Sequence, residues 1–403
     1  MKILHVPHGY RPARGGAEDL CLGLSEGLAA RGHDVQVIVT DLSTPEGLYR
    51  FGVGPSGAGD EVINRVDVRR VGPGTAYRAG NVIYRRDPYS VQPTATRLRR
   101  SVRDRLIAAI RSEIDTYRPD IVLTLPHLFE NVRAVFDIHG NDPFPLVWMP
   151  LLHEEDPNWP FDEIRALLPA ADALVAVTRH EAARLVDGYG ADPDRVHVIS
   201  PGVAAPDDPP DAVDGPPMVL YLGRITASKG IDRLARAMET VCRAVPETRL
   251  VIAGATTPET AQIRAMITDT TIGSGVGSVE FLSDLSESDK EGLLRSASVL
   301  VLPSTMESFG IVLLEAWASA TPVIALDTPV MGEVVTSGVN GVLVDPDDDE
   351  AMADAITGLL ADPDRARSMG LAGFRNVADR YSWDTAAEQL ESVYESVVDT
   401  AAK

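Results

Sequence analysis

Short β-branched runs alternate with stretches of helical periodicity along nearly the whole chain. KILHVP (2–7), DVQVIVT (34–40), DIVLTL (120–125), PLVWMPLL (145–152), ALVAVT (173–178) and RVHVIS (195–200) read as strands. A Pro/Asp-rich stretch, PGVAAPDDPPDAVDGPP (201–217), interrupts the pattern. It then restarts with MVLYLG, RLVIAG, VEFLS, SVLVLPS and PVIAL. Strands alternating with helices imply parallel sheets built from βαβ units. At 403 residues two cores are the natural expectation. The pattern therefore predicts two Rossmann-like, doubly wound α/β domains, residues 1–200 and 218–380, facing each other across a cleft. Residues 201–217 form the linker. Ligands are expected at the carboxyl ends of the strands.

Composition narrows the function. A formal charge of -22 argues against a nucleic-acid partner, because phosphate backbones need a basic surface. No stretch approaches the ~20 apolar residues of a membrane span, and MKILHVPHGY reads as a first strand rather than a secretory leader. The two cysteines, Cys21 and Cys242, are read as reduced core residues, which suits a cytoplasmic protein. Only Lys2, Lys229, Lys290 and Lys403 are lysines among 37 basic residues, so a lysine in a loop merits scrutiny. All eight histidines precede the linker. Residues 85–111 carry eight arginines, with an apolar stripe of Leu98, Val102, Leu106, Ala109 and Ile110. A core-packed helix with a solvated basic face is the first reading of that segment, and peripheral membrane contact the second.

Two segments carry candidate chemistry. In YLGRITASKG (221–230) a strand ends at Gly223 and a loop bearing Arg224 and Lys229 opens a helix. A helix N-terminus with Arg and Lys beside it suits a pyrophosphate, although solvated loop charges would look the same in isolation. In PSTMESFGIVLLEAW, Glu307 and Glu315 flank the start of the next helix. A fully helical interval would separate them by ~12 Å, comparable to the hexose-to-ribose length of a nucleotide sugar. The alternative makes Glu307 an N-terminal helix charge and Glu315 a buried partner of an arginine. Asp-Pro-Asp at 192–194, 345–347 and 362–364 falls where helices or turns begin, so no metal site is expected. The loop GSGVG (273–277) precedes a strand and fails the dinucleotide context.

GR…KG, then ESFG…E, then PVIA resemble the retaining family 4 glycosyltransferases of the GT-B fold, in which E-x7-E is a signature. The resemblance covers essentially the whole chain: Gly15-Gly16-Ala17-Glu18 is similar to the family's glycine loop, SPGV (200–203) to its interdomain segment and YSWDTAAEQL (381–390) to its C-terminal helix. It implies that residues 1–200 bind the acceptor, that 218–380 bind a UDP- or GDP-hexose, and that 381–403 pack back on the N-terminal domain. Arg224 and Lys229 would hold the donor diphosphate, approached closely by Gly16. Glu307 would bind donor-sugar hydroxyls, near the backbone amides of Phe309 and Gly310. Glu315 would bind the ribose, and His153 would lie beside the reacting centre. No cofactor or metal is implied, and the hydroxyl acceptor is left open. An epimerase, a sugar phosphorylase or an inactive sugar-nucleotide-binding protein on the same fold are the alternatives. The chain departs from the family pattern at Ala320 and Ser283, where glycines are usual, and at Pro329-Val330, in place of a glycine pair in a loop.

Overall fold

The computed structural model describes residues 1–40, 59–72, 93–127, 129–154, 159–211, 215–271, 278–283 and 285–402. These divide into two compact units, Met1–Pro201 with Trp383–Lys403, and Gly202–Ser382.

The first unit is built on β1 (Lys2–Pro7), α1 (Gly16–Ala30), β2 (Asp34–Thr40), β3 (Gly59–Ile63), β4 (Val66–Val71), α2 (Pro93–Tyr117), β5 (Ile121–Leu125) and α3 (Glu130–His139). It continues through β6 (Leu146–Trp148), α4 (Phe161–Leu167), β7 (Ala173–Ala176), α5 (Arg179–Ala183) and β8 (Val196–Val198). The strands form one sheet in the order β3-β4-β2-β1-β5-β6-β7-β8, with only the β3–β4 hairpin antiparallel. β5 is buried at every position, as a strand covered on both faces must be. In α2, Leu106 and Ile110 enter the core, while Arg103 reaches Glu130 and Asp137 on the α3 side. Residues 85–92 of the arginine-rich segment lie outside the described residues. No described helix is long and apolar enough to cross a membrane.

The last helix, α13 (Trp383–Ala401), belongs to this unit and packs on α1. Glycines make the approach close. A Cβ at Gly23 would lie 2.3 Å from the Trp383 ring, and one at Gly27 would lie 2.7 Å from the Ala387 Cβ. Buried His5 ties the layers together: Nδ1 meets Ser25 Oγ at 2.7 Å and Nε2 meets Tyr394 Oη at 2.9 Å.

The second unit contains β9 (Met218–Leu222), α6 (Ile231–Ala244), β10 (Arg249–Ala253), α7 (Thr260–Thr271), β11 (Ser278–Leu282), α8 (Glu287–Ser296) and β12 (Val299–Leu302). After these come α9 (Ile311–Ala318), β13 (Val323–Leu326), α10 (Pro329–Val334), β14 (Gly341–Val344), α11 (Asp349–Ala361) and α12 (Pro363–Arg380). Its sheet is parallel throughout, in the order β11-β10-β9-β12-β13-β14. α6 shows why such helices form here. Ile231, Leu234, Ala235, Met238 and Val241 fall on one face and are buried against the sheet. Pro329-Val330 opens a helix, α10, rather than sitting in a loop; Thr328 caps it and proline suits its first position.

Ala320 sits in the left-handed region, at φ 54°. It closes α9 in a Schellman motif, with Ala320 N–H donating to the Trp317 carbonyl at 2.8 Å and Thr321 N–H to that of Ala316 at 2.9 Å. Its carbonyl is packed so closely on Gly370 that a Cβ there would lie 2.0 Å away. Glycine is the unstrained residue at this conformation. Ala320→Gly is therefore expected to stabilise the second unit by roughly 0.5–1 kcal/mol, raising its melting temperature by about 1–4 °C. A lowered midpoint in thermal unfolding would mean that packing of the alanine methyl outweighs the backbone strain.

Candidate functional site

The second unit gathers six of the predicted residues around the carboxyl ends of β9 and β12. After β9, buried Tyr221 donates its hydroxyl to the Arg224 carbonyl at 2.7 Å, pinning the loop that carries Arg224. Glu259 accepts from Thr226 Oγ1 at 2.9 Å and from Ala227 N–H at 2.8 Å, strapping the next turn. Lys229 ends a single 3-10 turn, and Gly230 follows at φ 69°. A Cβ at Gly230 would stand 2.1 Å from the Pro303 carbonyl oxygen, so the β9 loop and the β12 exit touch backbone to backbone.

That contact places Lys229 beside Glu307. Lys229 Nζ donates to Glu307 Oε1 at 2.7 Å and to the Met306 carbonyl at 3.1 Å, with both side chains about one-seventh exposed. Gly310, at φ 84°, reverses the chain into α9, which no side chain caps at its N-terminus. Phe309 is buried and meets Tyr381 edge to face, with ring centroids 5.7 Å apart. Glu315 lies in the fifth position of α9. Its Oε1 accepts from Lys290 Nζ at 2.7 Å, and Glu287 accepts from the same ammonium at 2.8 Å. Burial pulls the Lys290 pKa down, but Glu315 and Glu287 outweigh it and hold the ammonium above its ordinary value. The interval from Glu307 to Glu315 is thus half loop and half helix, and the partner of Glu315 is a lysine rather than an arginine. Each lysine touches one oxygen of its carboxylate. A carboxylate keeps acceptor capacity for hydroxyl groups beside such a single contact.

Gly16 and His153 belong to the first unit. Gly16 is the first residue of α1, and a Cβ there would meet nothing within 4 Å. The protein itself does not demand glycine at this position. His153 follows β6 on a loop held by Glu181, which is buried and accepts from the Leu152 and Val177 amides at 2.8 Å each. Burial pushes the Glu181 carboxyl up to about 7 against the pull of those amides. Around His153 lie groups that the sequence reading had only counted. His127, after β5, meets His153 at 5.8 Å and Trp159 at 4.9 Å between ring centroids. Phe129 bridges His127 to His8, which stacks on it at 3.8 Å after β1. Burial drives His8 down to about 4; burial, with the neighbouring His153 and His8, drives His127 down to about 3. His8 and His127 are therefore neutral at physiological pH, among aromatic rings. The signal for them was PH at the end of both strands, in VPHGY and LPHLF.

The Asp-Pro-Asp segments serve as caps and turns. Asp192 accepts from Asp194 N–H at 3.1 Å, Asp345 from Asp347 N–H at 2.9 Å and Asp362 from Arg365 N–H at 3.0 Å. Residues 273–277 lie outside the described residues.

Two family models match the chain: one described as Glycosyltransferase Family 4 over residues 14–205, the other as Glycosyl transferases group 1 over residues 207–376. Among curated relatives, the D-inositol 3-phosphate glycosyltransferase of Xylanimonas cellulosilytica is 38% identical over 248 residues, covering 57% of this chain and 58% of that protein. The alpha-maltose-1-phosphate synthase of Mycolicibacterium smegmatis is 37% identical over 257 residues, covering 58% and 65%. The matched region thus spans less than two thirds of either relative. Among solved structures, the sucrose-phosphate synthase of Thermosynechococcus elongatus superposes with a TM-score of 0.79 at 22% identity over the full length of both chains. Anabaena HepE, solved with UDP and glucose, superposes with a TM-score of 0.69 at 16% identity over 98% of this chain and all of that one. These likenesses show the GT-B fold.

The neutral histidines have a consequence for stability. His5 is lowered to about 3 by burial, joining His8 and His127. Each binds a proton more readily unfolded, near 6.5, than folded. Their contribution to stability is therefore complete above that value and is lost as pH falls, towards 4 for His8 and towards 3 for His5 and His127. Glu181 acts in the opposite sense between 4.5 and 7, because the folded state holds its proton there. Three groups outweigh one. The melting temperature of the first unit is expected to fall between pH 6.5 and pH 4.5, less steeply in His127→Gln. A midpoint that rises on acidification would show that the rings are not buried in neutral form.

Proposed function

Because this chain belongs to the family 4 and group 1 glycosyltransferases, we propose that it transfers a hexose from a UDP- or GDP-sugar to a hydroxyl acceptor, with retention at the anomeric carbon and without a metal ion. The observation that carries this reading is the contact between Lys229 and Glu307. The bond that breaks in a sugar nucleotide joins the anomeric carbon to a phosphate oxygen. A cation for the phosphate and an acceptor for the sugar hydroxyls must therefore be neighbours, as Lys229 and Glu307 are at 2.7 Å. Glu315, eight residues on and held by Lys290, would take the ribose hydroxyls at the other end of the donor.

In this reading the anomeric C–O bond breaks and its electron pair goes to the diphosphate. Arg224 and Lys229 stabilise the growing charge, which is where fixed cations lower a barrier most. The acceptor oxygen bonds to the anomeric carbon on the same face, and its proton passes to the leaving phosphate oxygen. No nucleophile from the protein is then required. Gly16 admits the diphosphate where a side chain would meet ligand rather than protein. His153, at the neutral cluster, orients the donor sugar or the acceptor.

The two glutamates are expected to fail differently. Glu315→Gln removes binding felt equally in ground and transition states, and should raise the donor KM with little change in kcat. Glu307→Gln touches the sugar that becomes oxocarbenium-like, and should lower kcat by roughly 10–100-fold. Calorimetry with the bare nucleoside diphosphate should show weaker binding to Glu315→Gln and nearly unchanged binding to Glu307→Gln. The reverse pattern would mean that the donor lies the other way along the loop and helix.

Transfer is expected to survive EDTA, since Arg224 and Lys229 are assigned the charge that a metal would neutralise. Loss of activity on chelation, with recovery on adding Mg²⁺ or Mn²⁺, would replace them in that role. A panel of radiolabelled sugar nucleotides, with product stereochemistry read by NMR, separates transfer from epimerisation and phosphorolysis.

A further inference from the structure

His153 stands in the turn after β6, outside any helix or strand. Leu151, two residues before it, is left-handed at φ 50°, a conformation that L side chains rarely adopt. Such a residue persists only where its surroundings over-determine it. The side chains that do so come from one short segment, α5 and the π-helical turn Arg184–Gly188 that continues it.

Glu181, in the third position of α5, is 4% exposed and unused by the reaction described above. Thr178 caps this helix, its Oγ1 accepting from Glu181 N–H at 3.1 Å. A glutamate so placed ordinarily turns back to the N–H of the cap. Here Oε2 accepts from Val177 N–H, just before the cap, at 2.8 Å. Oε1 accepts from Leu152 N–H, 29 residues away in sequence, also at 2.8 Å. Capping alone does not call for burial, and a buried carboxyl is costly unless its oxygens are met. The contact that burial makes possible is the one to Leu152.

Arg184 and Tyr189 repeat the pattern on the other side of His153. The Arg184 guanidinium forks Glu154, with Nε donating to Oε2 at 2.6 Å and Nη2 to Oε1 at 2.8 Å. Tyr189 also hydrogen-bonds Glu154, and its hydroxyl accepts from Trp159 Nε1 at 2.5 Å. The Trp159 ring lies 4.9 Å from that of His127 and 6.5 Å from that of His153, centroid to centroid. In a regular helix, residues five apart point about 140° away from each other. In the π turn Tyr189 N–H donates to the Arg184 carbonyl, five residues back, which brings the two onto one face. Glu181, three residues before Arg184, shares it. One face thus holds the residue before His153, the residue after it and the indole beside it.

We propose that Glu181 and Arg184 are positioning residues for transfer: together they hold the 151–154 turn so that His153 stands fixed beside His127. Neither touches the reacting atoms, and both act through His153. This rests on the transferase reading above, so one arm of the test reads the turn without turnover.

The first arm is structural. In protein carrying isotopically labelled histidine, the ring nitrogen NMR signals absent from His153→Ala belong to His153. They should move in Glu181→Gln, whose side-chain amide sets a donor against one of the two backbone N–H groups. They should also move in Arg184→Gln, a position whose side chain is 40% exposed and whose loss leaves the fold intact. Spectra are taken at about pH 8, above the Glu181 value of about 7, so that the wild-type carboxyl is ionised. Signals that stay in place in both variants overturn the proposal.

The second arm is kinetic, at the same pH. Each variant should lower the single-turnover rate about tenfold or more, with nucleoside diphosphate affinity unchanged to within about twofold. On a His153→Ala background the same substitutions should cost less than about twofold, because the residue they act through is gone. A role in stability alone would lower the melting temperature and leave the rate of the folded enzyme unchanged. An unchanged rate, or losses that add to that of His153→Ala, overturns the proposal. Movement of the His153 signals with no transfer from any donor would instead sink the transferase reading and leave the positioning of His153 standing.

Discussion

A parallel sheet delivers the carboxyl ends of its strands to one edge, and both units are governed by that constraint. Every connection must cross the sheet and return, so the turns leaving the strands line up while the helices cover the faces. In the first unit this brings His8, His127 and His153 to one edge from segments spread over some 145 residues. In the second it brings the β9 loop, with Arg224 and Lys229, against the β12 exit that carries Glu307. The closest element of that arrangement is backbone on backbone, at Gly230 and Pro303. A side chain there would push Lys229 away from its carboxylate.

Charge is distributed to match. In a chain with four lysines, two are each paired with one of the spaced glutamates. A compact ammonium holds a carboxylate at one oxygen, whereas a guanidinium tends to fork both. The lysines fix the position of Glu307 and Glu315 and leave them acceptors. The first unit does the opposite around its histidines. There burial removes charge from His8 and His127.

Strand and helix alternation and the strand-to-helix loop at 221–230 were legible from residue order, because they rest on local periodicity and on turn chemistry that short segments carry by themselves. The same is true of Asp192 and Asp362 as caps and of Asp345 in a turn, for which Asp followed by Pro is a local instruction. Ala320 stood out in the sequence only as a missing glycine. The left-handed geometry that makes it matter comes from the way α9 must end before β13 begins.

Tertiary structure alone decided the partners. That Lys229 meets Glu307 across 78 residues, and Lys290 meets Glu315 across 25, follows from which strands are neighbours in the sheet, and strand order is not written in any one segment. Lys290 escaped notice because it lies in a helix, where a lone lysine has the pattern of a solvated charge. The histidine cluster was hidden for the same reason. Each member is unremarkable where it stands in the chain, and the depressed pKa of His8 and His127 exists only once other segments have taken the water away. Local sequence determines the elements and the residues at their ends; burial and strand order determine which of those residues meet.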